Sequence, residues 1–120
     1  MQKTRTNPTP EELSKYDAEG TVTPSKLVKG TKLFIETNAR IFEFQTLGND
    51  KAMVRSTGTD FKKDTLCRIV GSLDKDGMVF ADRVVREKHL IISLPKGRHV
   101  TGLIRAASLQ GAGWSYEMWK

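Results

Sequence analysis

From Lys32 onward, apolar residues recur at every second position rather than every third or fourth. Leu33 and Ile35, then Phe42 and Phe44, alternate with Lys32, Phe34 and Glu36 and with Ile41, Glu43 and Gln45. That is the two-residue period of strands with one face buried, and Asn38-Ala39 between the two runs predicts a tight connection. Leu47-Gly48-Asn49-Asp50 predicts a second turn, leading into a strand over 52–56. A polar loop over 57–64 separates this from a strand over 66–70. Asp74-Lys75-Asp76-Gly77 is the clearest hairpin turn in the chain, with 78–81 running back from it. Short apolar runs at 84–85, 89–94, 100–104 and 114–119 complete the set. Strands this short, with turn signals every eight to twelve residues, predict an all-β fold: a small antiparallel β-barrel or sandwich.

Helix competes with strand in one place. Arg105-Ala106-Ala107-Ser108 contains good helix formers, but Gly102 and Gly111 limit any helix to a couple of turns. Strand is the expectation for the first half of 103–109.

The first 26 residues have no apolar period and hold three of the four prolines, Pro8, Pro10 and Pro24. They predict a polar arm (1–26) ahead of a single β domain (27–120). Inside the arm, Thr9-Pro10-Glu11-Glu12 reads as a capping box with Pro at the first helical position, and Gly20 offers a stop. A helix of two turns does not hold itself together in water, so it must dock or fray.

Composition adds bounds rather than a function. A chain of 120 residues with 38% hydrophobic and 28% charged side chains suits one globular domain with its own core. No apolar run approaches a spanning helix, and the amino terminus has no apolar stretch behind its charges to act as a secretory signal. Cys67 is the only cysteine, so no internal disulfide forms and a cytoplasmic setting is expected.

Charge changes the picture more. The net charge is +6, and the window 83–105 supplies five of those six charges: Arg83, Arg86, Lys88, Lys96, Arg98 and Arg105 stand against Glu87 alone. The rest of the chain is nearly balanced, with 14 basic and 13 acidic side chains. Such a field draws anionic partners, nucleic acid first among them. The cations fall on both parities of the strand pattern and gather in two connections, 86–89 and 95–99. If these bracket the apolar strand between them, residues 90–97 separate them by roughly 26 Å. Both histidines, His89 and His99, lie in the same window.

Aromatic side chains would sharpen that reading by stacking bases. Phe42 and Phe44 share a strand face, as do Trp114 and Tyr116, but rings two apart on a strand ordinarily form the core of a small barrel. Trp119, on the opposite parity near the chain end, and Phe61, in the charged loop Asp60-Phe61-Lys62-Lys63, are the candidates for exposed rings. The expected nucleic-acid contacts are therefore Arg83, Arg86, Lys88, Lys96, Arg98, His99, Arg105 and Trp119.

Catalytic readings find little support. His89 and His99 suggest paired acid–base cleavage of RNA, but no nuclease signature surrounds them. Cys67 and two distant histidines lack zinc-ligand spacing, and Asp74-Lys75-Asp76-Gly77 lacks the later ligands of a calcium loop. No phosphate-cradling glycine loop exists, and neither Ser93 nor Ser108 sits in a nucleophile elbow. The expectation is a binding module that is not an enzyme, with no cofactor, no metal and no membrane association. The rival is a structural or assembly subunit of a larger, possibly viral, complex. In that case the amino-terminal arm and the glycine-preceded terminal strand 114–119 would pair with a protein partner or with copies of the chain.

Overall fold

Alternation in the sequence becomes register in space. The computed structural model describes residues 9–11, 21–57 and 64–111, together with the backbone path of 114–119. It contains β1 (Lys32–Thr37), β2 (Ile41–Gly48), β3 (Lys51–Ser56), β4 (Thr65–Leu73), β5 (Val79–Ala81), β6 (His89–Leu94), β7 (Gly97–Gly111) and β8 (Trp114–Trp119). Every pairing is antiparallel, in the order β1-β2-β3-β4-β6-β7, and β7 returns to pair with β1. The protein is thus all-β, and these strands close into a ring rather than two stacked sheets. No helix among the described residues is long and apolar enough to cross a membrane.

The ring is filled by the inward parity of each strand. Leu33, Ile35, Phe42, Phe44, Val54, Ile69, Leu90, Ile92 and Ile104 are all buried within it. Phe42 and Phe44 stack on each other with ring centroids 6.3 Å apart, so both serve as core and not as a surface platform. Burying several such side chains, each contributing about 1.5–3 kcal/mol, is the main force holding the ring closed.

β7 is the longest strand because it serves two neighbours in turn. Its first half pairs with β6, from Gly97 opposite Leu94 to Leu103 opposite His89. Its second half pairs with β1, from Ile104 opposite Thr37 to Gln110 opposite Lys32. The segment 103–109 is therefore strand throughout. The helix preference of Ala106 and Ala107 is overridden because these residues pair with β1, and Ala107 with β8 as well. The expected loop over 95–99 is also tighter than its Pro and Gly suggest. Only Pro95 and Lys96 turn, and Gly97, at a φ of 134°, already pairs across to Leu94.

β5 stands outside the ring, paired only with the second half of β4. Gly71 permits this, because a methyl group at that position would collide with the Phe80 carbonyl. Met78, Phe80 and Val85 form a small second core beneath the hairpin. The expected strand at 84–85 reduces to one bridge, Val84 to Val22, which brings the end of the polar arm onto the ring. Ser25 reinforces that docking, its backbone N–H and hydroxyl both donating to the Asp82 carboxylate. Of the expected arm helix, Pro10 and Glu11 are helical, and the rest lies outside the described residues.

Thr46 ties the segment before β1 to β2. Its buried hydroxyl donates to the carbonyls of Val28 at 2.8 Å and Thr31 at 3.1 Å. Thr46→Val keeps the shape and removes the donor, leaving both carbonyls without it. The variant should lose about 1–3 kcal/mol in urea unfolding at an unchanged m-value.

Candidate anion-binding surface

The outward parity of the ring carries the polar side chains, and register decides which of them meet. Lys51 of β3 lies opposite Arg68 of β4, Arg68 opposite Ser93 of β6, and Ser93 opposite Arg98 of β7. The buried chain neighbours Ala52, Cys67, Ile69 and Ile92 point Lys51, Arg68 and Ser93 outward, and Arg98 is itself exposed. The result is one row running across four adjacent strands, with Lys96 in the turn beside it. At about 4.8 Å per strand, the row from Lys51 to Arg98 spans roughly 14 Å.

Few acids oppose this row. Arg68 pairs with Asp50 at 3.4 Å. Lys51, Lys96 and Arg98 make no ion pair among the described residues. Arg55, two outward positions further along β3, is different: Glu43 at 3.1 Å and Asp64 at 4.0 Å balance its charge. The cation row is therefore distinct from the mixed charge around it.

A groove opens along the row, with a volume of about 270 Å³. Lys51 and Arg68 flank it, Ser93 lines its wall, and Leu66, Leu94 and Pro95 supply apolar surface. Leu66 is 51% exposed, and Met53 beside it is half-buried.

The residues expected from the sequence separate into two groups and two outliers. Lys96 and Arg98 belong to the row just described. Arg86, Lys88 and Arg105 gather at the other end of β6, where the Glu87 N–H donates to the Ile104 carbonyl and the Ile104 N–H to the Lys88 carbonyl. Much of that second charge is engaged locally. Arg86 lies 3.8 Å from the Glu87 carboxylate, and the Lys88 ammonium sits 4.8 Å above the centre of the Phe80 ring. Arg105 is the extra residue of a bulge facing β1. Arg105 lies seven positions beyond Arg98 on β7, roughly 23 Å at the usual rise.

The backbone of Trp119 pairs with Ala107. β8 thus occupies the edge of β7 opposite β1, beyond the point where β6 leaves it, which brings the terminal strand to the Arg105 end. The Trp119 side chain and all of Phe61 lie outside the described residues. Arg83 belongs to neither group, its guanidinium donating to the Ala81 carbonyl at 3.0 Å. His99 turns away from the cations. It lies opposite buried Ile92, and its ring is 6.3 Å from that of Phe42. His89 meets the Thr101 carbonyl through Nδ1 at 2.8 Å, three residues earlier on β6 than the position facing His99.

Lys51 and Arg68 were missed from sequence because they lie outside the basic window. Their outward parity was readable from Ala52 and Cys67 beside them; that they share a row was not. No group of three or more His, Cys, Asp or Glu among the described residues is placed to hold a metal ion. No protein-family model, curated protein or solved structure matches this chain.

Cys67 lies beneath the groove, and burial pushes its thiol from an ordinary 9.0 up to about 12. Below pH 9 the thiol is protonated both folded and unfolded. Between pH 9 and about 12 only the unfolded chain ionises it, so this contribution to stability falls as pH rises. Cys67→Ala should lose that part of the alkaline decline, seen as a shrinking wild-type-minus-variant difference in unfolding free energy. At neutral pH the wild-type thiol should react with a disulfide reagent only as fast as the protein opens.

Proposed function

We propose that this protein is a non-enzymatic binding module whose small β-barrel scaffold holds nucleic acid by its phosphates, through Lys51, Arg68, Lys96 and Arg98. The observation that carries this reading is the outward row of cations from three strands and the turn beside them, opposed only by Asp50 among the described residues. Phosphate recognition needs clustered Lys and Arg on an accessible face, and affinity follows the number of contacts. The Arg86, Lys88 and Arg105 group is the weaker candidate, because Glu87 and the Phe80 ring already engage two of its three cations. A nucleic-acid partner and a single free thiol both fit a cytoplasmic setting.

A second reading rests on β8. Among the described residues this strand pairs only with β7, so its outer edge can take a strand from a protein partner or another copy. This is assembly as a structural subunit. Light scattering separates the readings: assembly requires a mass that grows with concentration, whereas phosphate binding does not.

Titrating labelled single- and double-stranded DNA and RNA between about 50 and 200 mM salt tests the main reading. Four phosphate contacts to a single strand give a slope of log K on log salt near −2.8, and each of Lys51→Ala, Lys96→Ala and Arg98→Ala should reduce it by about 0.7. Arg86→Ala and Arg105→Ala should leave the slope unchanged. Absence of binding at about 50 mM salt, or a slope controlled by Arg86 and Arg105, overturns the assignment.

A further inference from the structure

We infer that the groove beside the cation row receives one unpaired base, so that the surface prefers single strands; this rests on the nucleic-acid reading above. Three features of the groove lead there. Its volume of about 270 Å³ lies below the range of pockets for drug-sized ligands, which suits one planar ring and little more. Leu66, Leu94 and Pro95 give it apolar surface against which a ring loses water, and Ser93 adds a hydroxyl that can meet a base edge. Lys51 and Arg68 line it from neighbouring strands whose backbones are about 4.8 Å apart, so phosphates flanking an inserted base have cations close by.

A wholly electrostatic surface has no use for Leu66, which is 51% exposed within a face of charged residues. Half-buried Met53 lies directly opposite it, so the apolar surface continues onto the neighbouring strand. A duplex keeps its bases stacked inside and can offer this groove only sugar and phosphate. A single strand can turn a base out at little cost and bury one face of it. Here the floor is aliphatic rather than aromatic, so the gain belongs at the low end of what stacking provides.

The test compares three labelled probes of equal length by fluorescence anisotropy at fixed salt: an oligothymidine, an abasic strand with the same phosphates, and a duplex. The oligothymidine should bind about fivefold more tightly than the abasic strand. Leu66→Thr, which suits an exposed strand position, should abolish that ratio while leaving abasic binding and its salt slope unchanged. In the wild-type protein, a photoreactive thiothymidine strand should crosslink to peptides containing residues 64–68 or 93–96, which needs no variant to fold. Equal binding of oligothymidine and abasic strand, or tighter binding of the duplex, overturns the base-in-groove assignment and leaves the phosphate row standing. Absence of binding to all three probes overturns the nucleic-acid reading itself. So does tighter binding of an acidic leucine-containing peptide at the same groove.

Discussion

Backbone hydrogen bonding between β1 and the second half of β7 joins Lys32 to Gln110 and Thr37 to Ile104. Without it β1 would be an exposed edge, and the inward parity of β1 and β2 would face water on an open sheet. Closing a loop of that length is costly in chain entropy, although the cost grows only slowly with length. The inward row of Leu33, Ile35, Phe42, Phe44 and Ile104 offsets it. Within the closed ring, the β3–β4, β4–β6 and β6–β7 registers set how outward side chains line up, and this is how cations distant in sequence come to share a row.

Sequence distance and spatial distance diverge sharply on this ring. Lys51, Arg68 and Arg98 come from three separate strands, yet register makes them a single line. Arg86 and Arg98 are close in sequence and lie toward opposite ends of β6. The roughly 23 Å along β7 between the two basic groups exceeds twice the screening length of about 8–10 Å near physiological salt. The groups therefore act as separate surfaces, and the +5 window does not act as a single field.

Much of the fold was legible in the period-two runs. Leu33 with Ile35, Phe42 with Phe44, and the Asp76-Gly77 turn gave strands and connections close to those observed. Partner choice was not legible. The hairpin at 74–77 suggests that β4 and β5 pair along their length, but β5 contributes only three residues. The first part of β4 pairs with β3 on the edge that β5 takes further along, and β6 covers the other edge from Arg68 to Leu73, a skip that local sequence does not encode. The same gap explains why the site was only half read. Lys96 and Arg98 were visible as a basic connection, whereas Lys51 and Arg68 joined them only through pairings across the skip. His99 was grouped with its cationic neighbours by sequence proximity, while strand parity sends its ring toward Phe42.

The central claim is that the row formed by strand register, rather than the cations adjacent in sequence, meets the anion. Amide chemical-shift mapping by NMR during titration with a short oligothymidine tests it most directly. The largest shifts should fall at Lys51, at residues 66–68 and at residues 93–98, with little change at residues 86–88 and Arg105. Shifts concentrated at residues 86–88 and Arg105, with the β3, β4 and β6 positions silent, would contradict it.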